Sequence, residues 1–251
     1  MILEYHRPTS VAAAMELLKR KQPATFPLAG GTTLLLRKDR DFAVVDIQDL
    51  SLDHISRDGQ SILIGAGVTL QQLVDADVLP EVIRNAAKQE ASFNLRQAAT
   101  AGGTVAGASG KSILLSVLLA YNADVQFADA EQESPLGEIL PLRQEQLKNR
   151  LISAIRISTK IQVTFEKISK TPADQPMLIV AAGSWSGGRT RVVVGENKSV
   201  PRLAMDGTSS TGADVAARNL LTEGDAYLRE MAGLLAKRCL EVLSTGGGNE
   251  H

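Results

Sequence analysis

The stretch "TAGGTVAGASGKS", Thr100 to Ser112, has the glycines, the small residues and the closing Gly-Lys-Ser of a phosphate-binding loop, and its reading decides the fold. A nucleoside-triphosphatase P-loop requires G-x-x-x-x-G-K-[ST], in which amides wrap the phosphates and the lysine neutralises them. Gly110-Lys111-Ser112 supplies the second half, but the first glycine would stand at Val105. A β-branched residue resists the positive φ that such loops use. The preceding "NLRQAATA" is also a poor match for the buried strand that feeds a P-loop. The competing reading pairs this stretch with "LAGGTTLL" at 28–35, so that two AGGT tetrads, 29–32 and 101–104, lie 72 positions apart. A diphosphate carries oxygens on two phosphorus atoms and suits amides converging from two glycine turns. Thr32, Thr33, Thr100 and Thr104 add hydroxyls beside them. Taken alone, the residues fit a pair of ligand-free structural turns equally well.

Composition narrows the classes. The chain has 251 residues, 44% hydrophobic and 22% charged, with 27 basic against 28 acidic side chains and a net charge of −1. No global field therefore favours nucleic acid or an anionic membrane. Lys19-Arg20-Lys21 reads as a solvated face that suits the negative end of a helix dipole. The one cysteine, Cys239, excludes an intramolecular disulfide and a thiolate cluster, and reads as inert packing. His6, His54 and His251 are scattered, so no metal site is expected. No stretch has the ~20 apolar residues of a membrane span, and no signal peptide is evident, so a cytoplasmic protein is expected.

Three regions follow along the chain. In 1–55, Val11, Ala14, Met15 and Leu18 form one apolar stripe of a helix that Thr9 or Ser10 can cap, and "AVVDI" at 43–47 reads as a buried strand. In 56–150, "SILIGAG" reads as a strand, and Thr69 and Gln72 form a capping box. A helix is expected over 81–91, and "SILLSVLLAYNA" is a helix apolar nearly all round, hence buried on most sides. In 151–251, Ile155 and Ile157, then Ile161, Val163 and Phe165, alternate as half-buried strands. "MLIVAAGSW" and "TRVVVG" continue that pattern. Helices near 213–222 and 226–243 close the chain, with "STGGGNEH" as a frayed tail.

The chain resembles the FAD-binding (medium) subunit of the molybdenum hydroxylases, the family of xanthine dehydrogenase and carbon monoxide dehydrogenase. The likeness runs nearly end to end through "EYHRPTSVAAAMELL", "PLAGGTTLLL", "VVDIQDL", "ILIGAGVTLQQL", "LRQAATAGGTVAGAS", "LISAIRI", "FEKISKTPAD" and "AYLREMAGLLAKRCLEVL". It implies an α+β fold: a two-part FAD-binding domain (1–55 and 56–150) and a small C-terminal α+β domain with an antiparallel sheet (151–251). It also implies that Ala29, Gly30, Gly31, Thr32 and Thr33, with Thr100, Ala101, Gly102, Gly103 and Thr104, contact the FAD diphosphate largely through backbone amides. Lys167 matches a lysine that can lie near the flavin. FAD would be noncovalent, since neither loop holds histidine or cysteine.

The implied role is electron transfer from an iron–sulfur partner to an acceptor such as NAD. The partners would be a molybdopterin-containing subunit and a two-iron two-sulfur subunit. No side chain stands out as a general acid or base. The sequence departs from the family pattern at Gly110 and Ile113, where a proline and an aspartate that hydrogen-bonds the flavin's sugar hydroxyls are usual. That departure leaves open a scaffold of the same fold without flavin.

Overall fold

The computed structural model describes residues 1–36, 41–171, 174–198, 200–221 and 225–246. Of the expected frayed tail at 244–251, Ser244 to Gly246 continue the closing helix instead, and 247–251 lie outside the described residues, as does position 222 at the end of the 213–222 helix. Three sheets follow one another along the chain. In the first, Phe42–Asp46 runs parallel between Ile2–His6 and Thr25–Leu28. Parallel neighbours need a crossover, which the Val11–Lys19 helix provides between the two outer strands. Ser10 caps that helix by accepting from Ala13 N–H, and Ala14, Met15 and Leu18 bury the expected stripe against Val45, Ile47 and Leu50.

The second sheet is antiparallel, in the order Ile55–Asp58, Ser61–Gly65, Ile152–Ser158, Asp124–Phe127, Ser134–Pro135. Ile152–Ser158, which the sequence placed in the C-terminal part, is therefore the middle strand of this sheet. It pairs on both sides, with Ser61–Gly65 and with Asp124–Phe127. Local alternation cannot reveal which sheet a strand joins.

The third sheet, antiparallel in the order Arg202–Gly207, Thr190–Gly195, Leu178–Ser184, Gln162–Ile168, is covered on both faces. Leu178, Val180, Ala182, Val192 and Val194 pack with Ala213, Ala217, Leu235 and Cys239 of the two closing helices. Ile179, Ala181 and Val193 join the core built around the Ile113–Ala120 helix. Leu178–Ser184 and Thr190–Gly195 are thus buried on both sides rather than half-buried, because a helix lies against each face. All eight residues of Ile113–Ala120 are buried, as its all-round apolarity requires. Each such Leu or Ile contributes roughly 2 kcal/mol of burial. Burial pushes the Cys239 thiol up to about 12, so it stays an uncharged packing group.

Candidate functional site

Between the first sheet and the second lies a cleft of about 880 Å³, within the range of ligand pockets. Ala29, Gly30, Gly31, Thr32 and Thr33 line one side, and Thr100, Gly102 and Gly103 line another. The two loops meet at this cleft because the first packs on the backbone just before the second tetrad and on the helix that follows it. A Cβ on Gly30 would stand 1.6 Å from the carbonyl oxygen of Ala98, and one on Gly107 would stand 3.0 Å from Thr33. The first loop thus lies along the Ala101–Gly107 helix.

Within this shared cleft the two loops differ. The first turns through Gly31 at φ +68°, the left-handed region that favours glycine. Among the described residues, the amides of Gly30, Gly31, Thr32 and Thr33 donate no hydrogen bond, and the hydroxyls of Thr32 and Thr33 have no partner. A run of free amides at a glycine turn is a cradle for an anion.

The second tetrad is the opening turn of a helix, and its amides are engaged. Ala101 N–H donates to Val68 O at 2.8 Å, Gly102 to Ala66 O at 2.9 Å, and Thr104 to Thr100 O at 2.9 Å. Gly103 N–H donates to the capping Thr100 Oγ1 at 3.1 Å, and the Thr104 hydroxyl donates to Thr100 O. Ala101 and Thr104 are buried and do not line the cleft. Amide donation from 101–104 to a ligand, as the resemblance implied, would compete with bonds these donors already make: Ala101 and Gly102 to the 66–68 segment, Gly103 and Thr104 to Thr100. A Cβ on Gly102 would meet Ala66 at 2.7 Å, so the close approach there is within the protein.

Lys167 lies on the Gln162–Ile168 strand, half-buried, and does not line the cleft. Its charge acts instead on Glu90, whose carboxylate accepts from Leu114 N–H at 2.9 Å at the start of Ile113–Ala120. Burial pushes the Glu90 carboxyl up, against hydrogen bonds from Leu114, Ser112 and Ile113 and the charge of Lys167. Ile113 is 1% exposed and points into the core. Glu90 reaches this helix end from a neighbouring helix. Gly110 has its own reason: its N–H donates to Lys198 O, and a Cβ would meet Glu196 O at 2.5 Å. The Gly110 amide is therefore unavailable to a phosphate, which removes the P-loop reading.

What the sequence missed is the charge of the cleft. Lys19, Arg20, Lys21, Arg143, Lys148 and Arg150 all line it, and among the described residues no acidic one does. Lys19-Arg20-Lys21 is thus not an indifferent solvated face. Arg20 is fixed by Glu4 at 2.7 Å and by Thr25 Oγ1 at 2.8 Å, and its Nη2 is buried without a partner. Arg143 donates to Ala108 O at 2.6 Å, and Arg150 is paired with Asp129 over the Phe127 ring. A cleft with six cations and free amides, in a chain of net charge −1, focuses positive potential where a dianionic diphosphate would sit. The residues present fit a flavin dinucleotide through the first loop and this basic rim. No helix among the described residues is long and apolar enough to cross a membrane. Among the same residues no group of His, Cys, Asp and Glu could hold a metal ion.

Comparison with known proteins agrees with this geometry. The model of the FAD binding domain in molybdopterin dehydrogenase matches residues 1–159, which contain both glycine loops and the cleft. Uncharacterized protein YgfM of Escherichia coli (strain K12) is 32% identical over 241 residues, 94% of this chain and 86% of that protein. The carbon monoxide dehydrogenase medium chain of Afipia carboxidovorans is 34% identical over 111 residues, 41% of this chain and 38% of the other. Among solved structures, a carbon monoxide dehydrogenase from Hydrogenophaga pseudoflava superposes with a TM-score of 0.80 at 22% identity, covering 96% of this chain and 97% of that one. Quinoline 2-oxidoreductase from Pseudomonas putida 86 gives 0.79 at 19% identity, with 97% of both chains covered. These distant structures share the fold. The matched segment runs through every strand that frames the cleft, and this protein belongs to the family of FAD-binding domains in molybdopterin dehydrogenases.

Proposed function

We propose that this chain is the cytoplasmic flavin subunit of a multi-subunit molybdenum hydroxylase, taking electrons from an iron–sulfur partner and passing them to an acceptor such as NAD. FAD is the cofactor of the family's domain, and when bound it accepts and releases the electrons. The chain's own residues bind and orient it. The amides of Gly30 to Thr33 would take the diphosphate, with the cleft's basic side chains neutralising it. Thr100 and Gly103 would face the cofactor from the second tetrad by shape rather than by amide donation. The only cysteine is buried and protonated, so the two-iron two-sulfur cluster and the molybdopterin would belong to partner subunits. The observation that carries this reading is a basic cleft lined by four residues whose amides have no partner among the described residues.

The test is a calorimetric FAD titration of cofactor-free protein, followed by visible flavin absorbance. Gly31→Val forces a β-branched side chain into φ +68° and should weaken FAD by more than about tenfold, since ~1.4 kcal/mol is one decade. Lys111→Ala should leave it unchanged. A second reading, the flavin-free scaffold, draws on the engaged amides of 101–104 and the buried Ile113. Protein that takes up no FAD even at high micromolar concentration would establish that reading instead.

A further inference from the structure

A second cavity of about 270 Å³ lies at the opposite end of the five-stranded sheet. The large cleft meets this sheet at Ala66 and Ile152, whereas the small cavity meets the same strands at Ser61, Arg156 and Ser158. At ~3.3 Å per strand residue the two ends are roughly 15–20 Å apart. The far wall is Trp185, on the turn that joins Leu178–Ser184 to Thr190–Gly195. The cavity therefore bridges the second and third sheets.

Its lining holds several polar groups with nothing to bind. Tyr121 is 2% exposed, yet its hydroxyl makes no hydrogen bond among the described residues. The hydroxyl is the part of this buried residue that opens on the cavity, where a ligand can reach it. Burial pushes its pKa well above the usual range, so it remains a neutral donor. The Lys160 ammonium and the Trp185 indole N–H are also without a hydrogen-bond partner among the described residues. Arg156 adds positive charge but is held by Glu133 at 2.7 Å. Against these donors stands one carboxylate, Asp124, which accepts no hydrogen bond among the described residues. Burial and neighbouring Glu133 push its carboxyl up, so a donor placed beside it would be favourable.

We infer that this cavity is a binding site for a small carboxylic acid carrying a hydroxyl or ammonium group next to its carboxylate. The ligand's carboxylate meets Lys160 and the Tyr121 hydroxyl, and its neighbouring donor meets Asp124. The volume suits a molecule of a few carbons and is too small for a nucleotide. The site is independent of the flavin cleft, and its ligand would tie the Trp185 turn to the second sheet.

Trp185 is the chain's only tryptophan, so its fluorescence reports on this cavity alone. The full chain is titrated with L-serine and L-malate as probes, with acetate and ethanolamine each offering only one of the two groups. A saturable change in Trp185 emission with at least one of the two acids is expected, at the millimolar affinity of so small a ligand. Tyr121→Phe keeps the ring and should weaken that response roughly tenfold, as should Lys160→Ala on the exposed side. Tyr121→Phe should melt like the parent, because the hydroxyl it removes has no partner. No response to either acid up to about 10 mM, well above that affinity, overturns the inference. So does a response that survives both substitutions, or acetate binding as tightly as the acids.

Discussion

Ala29-Gly30-Gly31-Thr32 and Ala101-Gly102-Gly103-Thr104 are the same four residues, and the fold uses them in opposite ways. The first is a turn with a left-handed glycine and free amides facing a cleft. The second is the first turn of a helix, capped by Thr100 and tied through Ala101 and Gly102 to the carbonyls of Val68 and Ala66. What separates them is the presence of a neighbouring segment with carbonyls to offer. The Ala66–Val68 turn lies beside the second tetrad and takes up the amides of Ala101 and Gly102, while Thr100 takes up those of Gly103 and Thr104. No described segment does so for the first. A glycine-rich tetrad is thus a ligand cradle only where the fold withholds partners from it.

The sharpest way to break this comparison is to prise the tetrads apart. Gly30→Ala places a Cβ within 1.6 Å of Ala98 O, so the first loop must move off the Ala101–Gly107 segment. Thermal unfolding should show a loss on the order of 4 kcal/mol, and FAD titration should show little binding. Near-parental stability would mean the two loops are not in contact.

Ile113→Asp comes next. It buries a carboxylate at a helix start where Glu90 already accepts the amides. The cost should be on the order of 3 kcal/mol, read from denaturant unfolding. FAD affinity of the folded fraction should not improve. Tighter FAD with unchanged stability would show that position 113 faces the cofactor.

The smallest effect is expected at the second tetrad's cap. Thr100→Ala removes the acceptor for Gly103 N–H and should cost about 1 kcal/mol in unfolding experiments. FAD affinity should change by no more than about twofold, under 0.5 kcal/mol. A marked loss of FAD at unchanged stability would make the second tetrad a cradle like the first.

Much of the scaffold could be read locally. Ser10, the Thr69 and Gln72 box and the apolar Ile113–Ala120 run each specify an element through contacts within a few residues, and each stands as expected. The assignment of Ile152–Ser158 could not be read this way, because its alternating pattern fits any half-covered sheet. The basic rim was equally hidden. Lys19 to Lys21 and Arg143 to Arg150 lie more than 120 positions apart and become one electrostatic surface only when the first sheet packs beside the second.

By itself the sequence determined the Val11–Lys19 and Ile113–Ala120 helices, the buried strand Phe42–Asp46 and the family likeness, all of which rest on short-range periodicity, capping and motif order. Only the tertiary structure decided which AGGT keeps its amides free, why Gly110 and Ile113 stand where the family differs, and where the positive charge gathers. Those outcomes depend on which carbonyls and charges a distant segment brings within ~3–4 Å, and hydrogen bonds and ion pairs form only at that range.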